Sequence, residues 1–293
     1  MRFELKKKSE EDILAIKEHP IMDLNGKPQV LPLLHYPLLE NTGIVDHCFT
    51  TRLGGVSEGI YASLNFSVAR GDAPDAVMEN YRRVAEAFGK TVDDFVCTDQ
   101  THTTHVLRVG KKEKGYGVTR EKPYTDVDGL ITNEPGVILS TFYADCVPLY
   151  FVDPVSKSIG LSHSGWRGTV GRMGQKTLEA MAEAFGTKPE DVYAAIGPSI
   201  CQDCYEISED VAEHFYAEFQ GHGDEILLNK GNGKYQLDLW KTNEILLLEA
   251  GIKPEHLAVT NICTCCNSEV LFSHRASHGK RGNLAAFLML KED

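Results

Sequence analysis

Three residues of this 293-residue chain offer the donor atoms that hold a divalent transition metal: His102, Cys146 and His163. Cys146 closes the segment STFYADC, behind the apolar run VILSTFY, and His163 follows the run SIGLS. Consecutive strands that each end in a ligand bring those ligands together when the ends are neighbours. His102 lies shortly before the run VLRV. One thiolate and two imidazoles suit Zn²⁺, and three protein ligands leave a fourth position open for water or substrate. The separations match no short zinc-binding signature, so spacing alone leaves packing and surface roles open for all three. A competing set is Cys201-Gln-Asp-Cys204 with Cys263-Thr-Cys265-Cys266, two CxxC elements in the form of a structural Cys₄ site. Their spacer is far longer than the ~15–20 residues of a zinc ribbon. Both pairs sit at apparent strand ends in a well-formed core, so reduced, partly buried thiols are the expected state.

These side chains need a frame. Helical spacing predicts a helix over Asp75–Phe88, with Val77, Tyr81, Val84 and Phe88 on one stripe, Asp72 as N-cap and Pro74 in the first turn. Further helices are predicted over Val170–Phe185, Asp210–Phe219 and Leu239–Ala250, the first and last ended by Gly186 and Gly251. Apolar runs suited to strands are Phe95–Cys97, Val106–Val109, Gly129–Ile131, Val137–Tyr143, Pro148–Val152, Ser158–Ser162, Val192–Ile196, Ala258–Ile262, Val270–Ser273 and Ala285–Leu290. Strands outnumber helices, which predicts a mixed α/β or α+β domain with buried sheets. Residues 1–42 read as a leader with strand content that packs on the domain, its prolines favouring extended edge segments. Residues 43–293 read as one catalytic domain, with Lys111–Lys122 a basic, solvated loop.

Composition narrows the function classes. The chain is 42% hydrophobic and 25% charged, an ordinary globular mix. Thirty basic against 42 acidic residues give a formal charge of -12, which argues against binding nucleic acid or an anionic membrane, because phosphate affinity needs clustered Lys and Arg. The basic start MRFELKKK has no apolar stretch behind it, so it does not read as a secretory signal. The longest apolar candidate, Val137–Val152, is interrupted by Asp145 and Pro148, too early for a membrane span. A cytoplasmic protein with reduced thiols is expected, a monomer or a small homo-oligomer.

The unusual segments, read together, resemble the YfiH/YlmD-type laccase-domain family, also described as polyphenol-oxidase-like. The TRxGGVSxGxYxSLN element is Thr51–Asn65, QxH is Gln100-Thr101-His102, ADC-x-P is Ala144–Pro148, and HxGWRG is His163–Gly168. GP-x-I and YE appear at Gly197–Ile200 and Tyr205-Glu206, and CT and FSxR at Cys263-Thr264 and Phe272–Arg275. The pattern departs at Thr103, at Ser164, and in the closing element Gly279-Lys280-Arg281-Gly282.

The resemblance implies a four-layer αββα sandwich of one domain. It implies zinc, with copper the alternative occupant, held by His102, Cys146 and His163. It also implies a purine nucleoside phosphorylase with adenosine deaminase activity, whose partners are a small nucleoside and phosphate. In that frame Asp145 would orient a ligand imidazole or move a proton. The backbone N–H groups of Gly54–Ser57, with Ser57 itself, and the guanidinium groups of Arg52 and Arg167 would hold phosphate. Asn65 and Gln100 would bind ribose or base. Two rivals stand beside this reading. A Cys146–His163 hydrolase or amidase acting on a cell-wall precursor needs no metal. A single-copper polyphenol oxidoreductase would use the same three ligands, whereas a multicopper site is excluded because the chain has no His-x-His pair.

Overall fold

The computed structural model describes residues 3–292. Its strands are β1 (Ala15–Met22), β2 (Pro28–His35), β3 (Val45–Thr50), β4 (Phe95–Cys97), β5 (Val106–Arg108), β6 (Gly129–Thr132), β7 (Ile138–Tyr143), β8 (Val147–Asp153), β9 (Ser158–Ser164), β10 (Tyr193–Ile196), β11 (Glu206–Ser208), β12 (Leu227–Gly231), β13 (Lys234–Leu237), β14 (Leu257–Val259) and β15 (Leu284–Leu290). Its α-helices are α1 (Pro37–Glu40), α2 (Pro74–Ala87), α3 (Trp166–Val170), α4 (Met173–Phe185), α5 (Glu209–Glu218), α6 (Gly223–Ile226) and α7 (Leu239–Glu249). Two six-stranded sheets carry the fold, in the orders β1-β2-β3-β15-β7-β4 and β14-β10-β8-β9-β6-β5; a third, small sheet has the order β11-β13-β12.

Alternation along the central strands shows what each sheet faces, because side chains at period two point to opposite sides. In β15, Leu284, Ala286, Leu288 and Leu290 share an apolar cluster with Tyr150, Val152 and Leu161 of the other sheet. The intervening Ala285, Phe287 and Met289 pack with Val77, Tyr81 and Val84 of α2. In β8, Tyr150 and Val152 meet the first sheet. Val147, Leu149 and Phe151 instead join Leu178 and Met181 of α4 and Leu246 and Leu247 of α7. Strands buried on both faces read as continuous apolar runs, and this is why LAAFLML and VPLYFV show no polar alternation. Buried tyrosines tie the sheets together: Tyr150 Oη donates to Cys48 O at 2.9 Å, Tyr143 Oη to Ser162 O at 3.0 Å, and Tyr36 Oη to Ile196 O at 2.8 Å.

Most expected elements form within a residue or two. The helix expected over 170–185 is split, because Arg172 takes a left-handed conformation (φ 60°) between α3 and α4. Asp72 does not cap α2: Ala73 occupies the N-cap, and the Asp72 carboxylate accepts from Ala73 N and Asn65 Nδ2. Val270–Ser273 is not a strand. Val270 N and Leu271 N both donate to Asn267 O, which curls the segment into a turn. The small sheet goes beyond the expected strands, since β12 is mostly exposed and carries no apolar alternation. Residues 15–35 form the hairpin β1–β2, paired through β2 to β3 at the edge of the first sheet. Among the described residues no helix is long and apolar enough to cross a membrane.

One topological fact places the site. The chain leaves the first sheet at the end of β7 and enters the second at the start of β8, and Ala144–Cys146 is the crossing between them.

Candidate active site and metal centre

Cys146 immediately precedes β8, and β8 runs antiparallel to β9 with Val147 opposite Ser164 and Pro148 opposite His163. The register therefore puts Cys146 beside His163. His102 comes from the loop between β4 and β5. The three ligand atoms lie within 4.8 Å of one another, with Cys146 Sγ 3.9 Å from His102 Nε2. His163 is buried, Cys146 partly exposed and His102 exposed, so the cluster opens to one side. Gly165 makes room for it: a Cβ there would lie 2.8 Å from His102 Cδ2 and 3.2 Å from Cys146 Sγ.

One buried carboxylate organises two of these residues. Asp128, fully buried at the start of β6, accepts from His163 Nδ1 through Oδ1 at 2.8 Å. The same oxygen accepts the backbone N–H of His102 at 3.1 Å, and Oδ2 accepts Thr101 N, Thr103 N and Thr103 Oγ1 at 3.0, 2.9 and 3.0 Å. Three successive N–H groups thus wrap one anion, a backbone nest, and His102 adopts φ 66° to complete it. With Nδ1 committed to Asp128, His163 presents Nε2 to Cys146. Burial pushes the Cys146 thiol up, but the His163 and His102 imidazoles outweigh it and bring it down to about 6. Burial lowers His163, and the Cys146 thiolate with the Asp128 carboxylate overcomes that and raises it to about 9. Burial raises Asp128, yet His163 and the nest hold it below the usual carboxylate range. A favoured thiolate, two imidazoles and a carboxylate that fixes one tautomer are the donor set and the outer support of a transition-metal site.

Several expected roles move. Asp145 does not orient a ligand imidazole; Asp128 does. The Asp145 carboxylate accepts from Thr264 Oγ1 at 2.6 Å and Arg275 N at 2.7 Å, which holds its backbone at φ 90° beside Cys146. Arg52 lines neither of the cavities at the cluster. Its guanidinium donates to Ala62 O and Ser268 O at 2.7 and 3.1 Å and stacks on Phe272, so it braces a loop. The Gly54–Ser57 segment is no phosphate cradle either. Gly55 N donates to Ser63 Oγ, Val56 N to Asn80 Oδ1 and Ser57 N to Ser63 O. Gly55 is needed because a Cβ would sit 2.2 Å from Ser63 O. Ser57 Oγ accepts from Asn80 Nδ2, and buried Asn65 bonds Ser67, Asp72 and Asn283. Gln100 lines a cavity beside the cluster, but both ends of its amide bond the backbone of Phe142, at 2.7 Å each. Arg167 stays at the site, its guanidinium 4.2 Å from the Trp166 ring centre.

The cluster sits where two cavities meet. The larger, ≈ 550 Å³, is lined by the apolar Phe66, Met78 and Phe142 and by the cations Arg70, Arg281 and Lys122, the last paired with Asp99 at 2.6 Å. The smaller, ≈ 290 Å³, is lined by Trp166, Arg167, Tyr205, His274 and Arg275. His102, Cys146 and Arg281 line both. Arg281 is the residue the sequence left without a role. Burial, with Arg70 nearby, draws its guanidinium down to about 10. Its Nη1 donates to Gly282 O and Asn283 Oδ1, while its buried Nε has no partner among the described residues. A desolvated cation with a free N–H suits an anion. Asp128 and Arg281 are the site residues sequence reasoning missed; their only signals were the segment DVDG and the closing Gly-Lys-Arg-Gly.

The fold and site define a single-domain α/β protein with a His₂Cys metal-capable centre at a two-cavity junction. Residues 46–291 match the family model described as "Multi-copper polyphenol oxidoreductase laccase", and the chain belongs to that family. It is 35% identical over 245 residues to "Purine nucleoside phosphorylase YlmD" of Bacillus subtilis, covering 83% of this chain and 88% of that one. It is 40% identical over 260 residues to "Purine nucleoside phosphorylase" of Deinococcus radiodurans, covering 89% and 93%. "Adenosine deaminase RL5" of an unknown prokaryotic organism is 31% identical over 229 residues, covering 78% and 87%. The crystal structure of Bacillus licheniformis YfiH superposes with a TM-score of 0.84 at 33% identity, covering 88% of this chain and 96% of that one.

Proposed function

We propose that this chain is a zinc-dependent purine nucleoside phosphorylase with adenosine deaminase activity. Its substrates would be adenosine, inosine and guanosine, with methylthioadenosine a further candidate. The observation that carries this reading is the His102/Cys146/His163 cluster in the wall of a cavity that also holds Arg281. The relatives' names point the same way. The cavity volume falls in the ~300–1,000 Å³ range of small-molecule sites. Zinc held by the three residues would supply Lewis acidity at neutral pH. The chain's own residues divide the remaining work. Phe66 and Phe142 offer apolar walls to a purine, and Gln100 fixes the second through its backbone. Arg281, with Arg70 beside it, would hold phosphate; a phosphate oxygen then bonds to C1′ as the bond from C1′ to the base breaks, and the base, leaving with that electron pair, takes up the proton that the phosphate gives up. Asp128 keeps His163 oriented throughout. Because His102 and Cys146 line both cavities, reactants can reach the centre from two sides.

We also read the three apolar clusters as the interfaces between the four layers of an αββα sandwich, with residues 1–42 an edge extension of a domain that starts near residue 43.

The test is a nucleoside panel with and without phosphate, read by chromatography. Inosine and guanosine should release free base only with phosphate, and adenosine should yield inosine and ammonia without it. Release of neither base nor ammonia would overturn the reading. The Cys146–His163–Asp128 arrangement also favours a second reading, a metal-free thiol hydrolase. Full activity after a chelator strips the protein would support it.

A further inference from the structure

The second cysteine cluster is unused by the proposed activity. Cys201, Cys204, Cys263 and Cys266 bring their sulfurs within 4.8 Å of one another, despite their distance in sequence. The cause is local: Ser199 and Cys263 form a parallel β-bridge, and Thr264 N donates to Ser199 O at 3.0 Å, so the loops after β10 and β14 run side by side. Cys204 Sγ and Cys266 Sγ are 3.6 Å apart. A disulfide needs about 2.05 Å, whereas four sulfurs each about 2.3 Å from a central ion stand ~3.8 Å apart in a tetrahedron. The backbone N–H groups of Cys201 and Cys266 point at Cys263 Sγ, at 3.3 and 3.4 Å. Such contacts favour a thiolate and orient it. Lys8 Nζ, paired at 2.8 Å with Asp203 inside the first CxxC, adds a cation beside the cluster.

We infer that Cys201, Cys204, Cys263 and Cys266 form a second metal site, a closed tetrathiolate site for Zn²⁺. Four protein ligands leave no open position, so the role is structural. The site staples together the two loops that wall the smaller cavity. Ile200 and Tyr205 come from one, and Arg275 from the other. Arg275 Nη1 and Nη2 donate to Cys204 O and Glu206 O at 3.0 and 2.9 Å, while Thr264 Oγ1 and Arg275 N clamp Asp145 next to Cys146. The inference is independent of the proposed activity.

The test uses the full chain carrying His102→Ala, Cys146→Ala and His163→Ala, purified under reducing conditions and loaded with zinc alone. Metal analysis should find one zinc per chain. Cobalt loaded in its place should show the sulfur-to-cobalt charge-transfer bands of tetrathiolate coordination. Adding Cys201→Ser and Cys266→Ser should abolish both signals and lower the thermal midpoint. A check without cysteine substitution is the thiol count of the wild-type chain, denatured unreduced with chelator: all eight cysteines should react. A triple variant that takes up neither zinc nor cobalt would overturn the site. So would a wild-type count missing one or two pairs of thiols, which would make the cluster a disulfide knot.

Discussion

Replacing Asp128 with Asn changes one oxygen for an NH₂ group at a fully buried position. The carboxylate accepts five hydrogen bonds and donates none, three at Oδ2 and two at Oδ1. An amide keeps one acceptor oxygen. Turned so that this oxygen serves Thr101 and Thr103, it aims its N–H groups at His102 N and at His163 Nδ1. Nδ1 can then only accept, so the proton moves to Nε2, the atom that faces Cys146, and ligation through that nitrogen is blocked. Turned the other way, the amide opposes the fixed N–H donors of Thr101 and Thr103, while the Thr103 hydroxyl can turn to accept. Loss of an outer carboxylate of this kind costs about 10–100-fold in metal affinity, or about 1.4–2.7 kcal/mol. Each buried donor left unpaired costs a further ~1–3 kcal/mol of stability. The assay is zinc competition against a chromophoric chelator, with urea unfolding of the metal-free protein beside it. Asp128→Asn should weaken zinc by at least tenfold and shift the unfolding midpoint down. Zinc affinity within threefold of wild type would refute the claim that Asp128 orients His163 for a metal.

Four further predictions rest on the geometry. Arg281→Ala should raise KM for phosphate roughly 10–100-fold, the worth of a lost charge-assisted contact. Arg52→Ala should instead lower stability and leave that KM within twofold, and the reverse pattern would restore the expectation drawn from the sequence. Gly165→Ala puts a Cβ against His102 Cδ2 and Cys146 Sγ and should weaken zinc binding without changing the far-ultraviolet circular dichroism; unchanged affinity would show the loop yields freely. Burial, with neighbouring cations, holds His35 and His47 neutral, down to about 2 and about 3. Only the unfolded chain takes up their protons, so their stabilisation is complete above pH ~6.5 and shrinks below it by up to about 1.4 kcal/mol per histidine per pH unit. Urea midpoints that do not fall between pH 7 and pH 5.5 would contradict this.

The parts of the site legible in the sequence were those carried by residue type. Residue type made His102, Cys146 and His163 candidates among eight cysteines and 11 histidines, the motifs QxH, ADC-x-P and HxGWRG singled them out through the family resemblance, and the strand register then supplied the proximity. Asp128 was hidden because the segment Asp126–Thr132, though unusual, carries no local sign of which backbone donors will wrap its carboxylate. Gly54-Gly55-Val56-Ser57 and Arg52 misled for the opposite reason. Glycines and an arginine look like an anion site, but their N–H groups are consumed by Ser63, Asn80 and two carbonyls. The four clustered cysteines read as separate thiols because the Ser199–Cys263 bridge is a tertiary contact that no spacing rule encodes. In the fold, strands with continuous apolar runs were read well. The Val270–Ser273 run failed because Asn267 turns the chain back before a partner strand can pair with it.

The central claim is that a single zinc at His102, Cys146 and His163 serves phosphate-dependent cleavage of a purine nucleoside. It is tested most directly by stripping the wild-type protein with a chelator selective for that exposed centre, then titrating zinc back while following hypoxanthine release from inosine in phosphate buffer. Negligible release is expected in the stripped protein and full recovery at one added zinc per chain, with no recovery in Cys146→Ala. Full release by stripped protein, or recovery by copper and not by zinc, would contradict it.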